Sequence, residues 1–97
     1  MVNEEKYFKI ISKICEVNHI SNDELVEILK KRESKYLLVL FLKKYNCCSE
    51  EKLKELLNVR TKRSINYNYE KAEEKFLINR NFRDKYLEIE KKIDEII

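Results

Sequence analysis

Apolar residues recur at helical spacing along almost the whole chain. Residues 4–17 carry Tyr7, Phe8, Ile10, Ile11, Ile14 and Cys15 at intervals of three and four, one stripe suited to burial. Ser21-Asn22-Asp23-Glu24 reads as a capping box, opening a short helix whose face is Leu25, Ile28 and Leu29 and which ends near Lys30-Lys31-Arg32. Ser34 is a candidate start for the next element. Residues 36–42, YLLVLFL, form the most apolar stretch. Its β-branching and aromatics suit a buried strand, but no partner strand is visible, so a central helix ending at Lys43-Lys44 is the better account.

Asn46-Cys47-Cys48-Ser49 reads as a loop, with Ser49 capping a helix that begins with Glu50 and Glu51 and buries Leu53, Leu56 and Leu57. Asn58 tolerates the left-handed backbone that a tight helix exit needs. Thr61 can cap a longer helix with Ile65, Tyr69, Ala72 and Phe76 inward. Asn79 or Asn81 begins a last helix carrying Phe82, Tyr86, Ile89 (or Ile93) and Ile96. No internal repeat is present.

Composition supports this helical reading. The 97 residues include no glycine, proline or tryptophan. Phosphate-cradling glycine loops are therefore excluded, and the usual turn chemistry of hairpins and sandwiches is missing. The length predicts one domain over 1–97 and makes a parallel α/β enzyme improbable. The expected class is all-α: a small helical bundle of five or six helices containing a helix-turn-helix at about 49–77. With 21 Lys+Arg against 18 Asp+Glu, the formal charge is +3, which permits an anionic partner without specifying one.

Chemistry is sparse. The sole histidine, His19, sits in an early turn with no evident acid–base partner and reads as a surface or helix-end residue. Three cysteines without a CxxC spacing suggest a reduced, metal-free protein, and adjacent Cys47 and Cys48 read as loop residues. No cofactor, catalytic residue or metal site is expected, and enzyme function is the weakest option. The charged opening, MVNEEKYFKI, resembles neither a signal peptide nor a membrane span, so the expectation is a cytoplasmic protein with no membrane partner.

The informative constellation is the helix pair 49–57 and 61–77 with its short connection. Arg60, Thr61, Lys62, Arg63 and Ser64 cluster at the start of the second helix, where a recognition helix presents donors to bases and phosphates. With Ile65 and Tyr69 inward, Lys62 shares part of their face and partly snorkels, while Arg63, Asn66, Tyr67 and Glu70 point more outward. Lys35, Lys43 and Lys44 are candidate flanking phosphate contacts.

These residues resemble the C-terminal DNA-binding domain of the bacterial replication initiator DnaA, a helical domain of the Trp-repressor-like class. That family carries Ser-Leu-Pro-Glu-Ile-Gly, a Phe-Gly-Gly turn, Arg-Asp-His-Thr-Thr-Val and then Lys-Ile-Glu. Without gaps, Ser49, Leu53 and Leu57 fall on its serine, isoleucine and phenylalanine. Arg60, Ser64 and Ile65 fall on its arginine, second threonine and valine, and Lys71 and Glu73 on its lysine and glutamate. SKYLLVLF at 34–41 is similar to the family's Ala-Arg-Gln-Ile-Ala-Met-Tyr-Leu helix, placing Lys35 at a backbone-contacting arginine. The resemblance spans almost the whole chain and implies binding to double-stranded DNA. Asn58-Val59 replace the paired glycines, and Thr61, Lys62 and Arg63 replace residues that read the family's DNA sequence. The resemblance therefore does not carry over recognition of the family's own DNA sequence. The alternative is a protein-interaction module or homodimer that keeps the fold without DNA readout, motivated by the mixed charges of KYLEIEKKIDEII.

Overall fold

In a computed structural model describing residues 4–20, 25–46 and 48–96, the chain forms six helices and, among those residues, no strand. They are α1 (Glu4–Val17), α2 (Leu25–Lys30), α3 (Arg32–Lys44), α4 (Glu50–Leu57), α5 (Lys62–Ile78) and α6 (Arg80–Ile96). The α1 stripe buries Tyr7, Ile10, Ile11, Ile14 and Cys15. Phe8 departs from the expectation: its ring is 62% exposed, because the stripe's flank turns away from the neighbouring helices.

The apolar run lies in α3 at the centre, with Leu37 through Leu42 all buried and α1, α2 and α5 packed around it. Ser34 is not the cap of this helix. It is buried inside the first turn, and the extended residue at the start is Lys31, which makes no side-chain capping bond. Only one residue separates α2 from α3, so Arg32 begins the new helix instead of ending the old one. Phe41 stacks between Tyr45 and Tyr86 at centroid distances of 6.3 and 4.5 Å, and Phe76 meets Tyr86 edge-on at 5.0 Å. This aromatic column ties α3, α5 and α6 together. On α6, Phe82, Ile89 and Ile93 are all fully buried.

A chain without glycine must still end its helices. It does so with positive φ at His19 (59°), Asn46 (48°) and Asn58 (55°), residue types for which the left-handed region is least costly. At α1, His19 N–H donates to Glu16 C=O and Ile20 N–H to Cys15 C=O; at α4, Asn58 N–H donates to Glu55 C=O and Val59 N–H to Lys54 C=O. Both are the paired bonds of a Schellman exit, which satisfy otherwise unpaired carbonyls. Val59 itself needs no positive φ. Ser49 Oγ accepts from Lys52 N–H at 3.2 Å and Asn79 Oδ1 from Phe82 N–H at 3.0 Å, fixing the starts of α4 and α6.

The capping box at Ser21–Glu24 lies outside the described residues, as do Cys47 and the side chains of Leu25 and Ile96. Cys48 is buried against the core and not simply a loop residue. Among the described residues no helix is long and apolar enough to cross a membrane.

Candidate nucleic-acid interface

Four residues, Asn58 to Thr61, join α4 to α5. Asn58 turns the chain through the left-handed region (φ 55°, ψ 48°), Val59 packs against the core, and Thr61 starts α5 from extended backbone. Thr61 Oγ1 accepts from Ser64 N–H at 3.1 Å and donates to Ser64 Oγ at 3.0 Å, while Asn68 Nδ2 donates to Ser64 C=O at 2.9 Å. The two hydroxyls expected to face DNA are thus partly engaged in holding the first turn.

Inward, Ile65 and Ala72 are buried and Tyr69 and Phe76 half-buried. Arg60, Thr61, Lys62, Arg63, Asn66, Tyr67 and Glu70 are exposed. Lys62 is exposed and lines a groove beside Ile65. The first turn of α5 contains no acidic residue, so its positive dipole end and its cations reinforce each other.

Two recesses flank this exposed ridge. One brings Lys43 from α3 beside Lys62 and Asn66, with Glu50 from α4 at its edge. Lys43 Nζ stands 4.7 Å from the Tyr69 ring centroid, and burial, followed by Glu73, holds that phenol above its ordinary pKa, so the ring is neutral. The other gathers Lys30, Arg32 and Lys35 with Tyr67, Asn68 and Lys71. Lys35 and Tyr67 therefore line one recess from α3 and α5.

Lys44 is not part of this surface. One residue past Lys43, it faces α6, pairs with Glu90 and lies 5.4 Å from the Tyr45 ring centroid. Its separation follows from the ~100° between successive helical positions. Lys85 pairs with Glu33 at 2.8 Å and Lys92 with Glu16 at 3.2 Å, so cations on α6 are matched by carboxylates on α1 and α3. Lys13 and Lys92 together hold the Glu16 carboxyl below its ordinary pKa, the hydrogen bond from Lys13 being the larger influence. On the α5 side, Arg60, Lys62, Arg63, Lys35 and Lys43 have no ion pair among the described residues. Among the described residues, Glu50 is the one carboxylate that lines these two recesses, beside Lys43 and Lys62.

Lys30, Arg32, Asn68 and Lys71 join the surface without having been singled out as site residues. Tyr67 and Lys71 are four apart on one helix and Arg32 and Lys35 three apart on another, which a sequence shows; that the two pairs face one recess depends on how α3 crosses α5. Among the described residues no group of three or more His, Cys, Asp or Glu is placed to hold a metal. No protein-family model, curated protein or solved structure matches the chain.

Proposed function

We propose that the chain binds double-stranded DNA, with α4, the Asn58–Thr61 turn and α5 acting as a helix-turn-helix and the first half of α5 entering the major groove. The observation that carries this reading is the exposed ridge of Lys62, Arg63, Asn66 and Tyr67, whose first turn holds no acid, with Lys43 on one flank and Lys35 on the other. An α-helix of about 10–12 Å diameter fills a major groove about 12 Å wide, and the phosphates of the two strands then lie on either side. Lys43 and Lys35 stand on those two sides. Arg60 and Arg63 sit at the inserted end, where Arg63 and Asn66 reach base edges and Arg60 reaches a phosphate. This agrees with the DnaA-like resemblance, which implies a replication- or transcription-associated role. Acidic residues begin at Glu70, on the half of α5 that leaves the groove.

The test is fluorescence anisotropy of a labelled random duplex with the wild-type chain and Arg60→Ala/Arg63→Ala. The double variant is expected to lose about tenfold or more in affinity, within the ~1–3 kcal/mol of one good base contact, with unchanged circular dichroism. Equal affinity in the two chains would refute the reading.

A protein-interaction role is favoured by one observation only. Leu77 and Ile78, at the far end of α5, are 70% and 77% exposed, and Leu77 borders an apolar groove with Leu40, Phe76 and Tyr86. A chain that binds no duplex, and whose self-association in sedimentation is abolished by Leu77→Ser/Ile78→Ser, would favour that role.

A further inference from the structure

The recess between α3 and α5 is more than a flank of the ridge. Arg32 and Lys35 from the start of α3 converge there with Lys71 from α5, and Lys30 lines it from the end of α2. Its described lining contains no carboxylate; Glu74, 3.8 Å from Lys71, lies outside it. Like charges drawn into one concavity repel, whereas Lys85 and Lys92 on α6 meet acids on neighbouring helices. The cavity measures about 600 Å³, within the ~300–1,000 Å³ usual for small-ligand clefts. Tyr67 stands at its edge, 60% exposed, with Lys71 Nζ 5.6 Å from its ring centroid. Asn68 spends Nδ2 on Ser64 C=O, which leaves its Oδ1 to accept a hydrogen bond.

We propose that this cleft binds one unstacked nucleotide of a single-stranded nucleic acid, its phosphate held by Arg32, Lys35 and Lys71 and its base laid on the Tyr67 ring. Lys71 stands over the ring and also lines the cleft, so the phosphate and base positions adjoin. A cationic recess beside an exposed aromatic face is the pairing that single-strand sites use, since every base has a face to stack. A base inside a duplex presents only its edges and cannot reach the ring in this way. The inference rests on the nucleic-acid reading above but assigns a second form of nucleic acid to the flanking cleft, which shares Lys35 and Tyr67 with the duplex surface.

The test is anisotropy of a labelled five-residue oligothymidylate with the whole chain at low salt, alongside the random duplex. Tyr67→Leu is expected to weaken oligothymidylate binding about tenfold, as loss of one stacked base does, while Tyr67→Phe keeps it within about twofold because the ring remains. Arg32→Gln/Lys71→Gln weakens it and flattens its salt dependence. Circular dichroism checks that each variant folds. An abasic oligomer of the same length binding as tightly as oligothymidylate, or Tyr67→Leu binding like the wild type, would overturn the proposal, as would absence of oligothymidylate binding. Oligothymidylate binding in a chain that binds no duplex refutes the duplex reading alone; duplex binding without oligothymidylate binding refutes this inference alone.

Discussion

Salt provides the sharpest probe of the duplex interface. Arg60, Lys62, Arg63, Lys35 and Lys43 are the cations around the α5 ridge that make no ion pair among the described residues. With Arg63 on a base edge, the other four neutralise one phosphate each, about four counterions are released and log K falls with log salt at a slope of about −3.6. Between 50 and 200 mM monovalent salt, a fourfold change, affinity then drops about 150-fold. Removing the Arg60 phosphate contact in Arg60→Ala/Arg63→Ala brings the slope to about −2.7 and the drop to about 40-fold. Lys85→Gln and Lys92→Gln are the controls, because Lys85 is held by Glu33 and Lys92 by Glu16. Both are expected to keep the wild-type slope. The measurement is duplex anisotropy at several salt concentrations and constant pH. A wild-type slope shallower than about −2, or one that the double alanine variant leaves unchanged, would refute the assignment of these side chains to phosphates.

Other expectations concern the scaffold. Asn58→Val, which forces a β-branched residue to φ 55°, should cost about 1–2 kcal/mol in urea denaturation, whereas Asn58→Gly should be neutral or slightly stabilising. Phe82→Ala, at a fully buried site, should cost about 3–5 kcal/mol in the same assay, and Phe8→Ser, on an exposed ring, should stay within about 0.5 kcal/mol. Stability should fall in alkali. Burial, reinforced by Glu90, pushes the Tyr86 phenol up to about 12, and burial with a hydrogen bond to Asp94 raises Tyr45 further, against an ordinary value of 10.0. Between those values the folded chain binds more protons than the unfolded one, so the stabilisation is complete below pH 10 and is lost as pH rises through about 12. Tyr86→Phe should flatten that fall in a pH series of denaturation midpoints.

Local structure was legible because its causes are local. The 3.6-residue spacing of Tyr7, Ile10, Ile14 and their neighbours placed α1 at 4–17, the bounds found in the fold. Ser49 and Thr61 were recognisable as caps from a hydroxyl three residues ahead of an open N–H, and Asn58 as the left-handed exit from its tolerance of positive φ. His19 and Asn46 make the same kind of exit, and their residue types carried the same signal. Ser34 misled because a hydroxyl before an apolar run looks the same whether it caps a helix or is buried in its first turn.

Facing, by contrast, belongs to the assembled helices. Periodicity defines a stripe but not its edges, so Phe8 turned out exposed where Ile11 was buried. Adjacent Lys43 and Lys44 are chemically equal in the sequence, yet one flanks the ridge and the other pairs with Glu90 on α6. The cleft that joins Arg32 and Lys35 to Tyr67 and Lys71 exists only because α3 crosses α5 where it does. Helix starts, stops and apolar stripes are set by interactions within a few residues, and the chain alone determined them. Which charges converge and which are neutralised is set by contacts between residues tens of positions apart, and only the packing of α3 against α5 and α6 decided it.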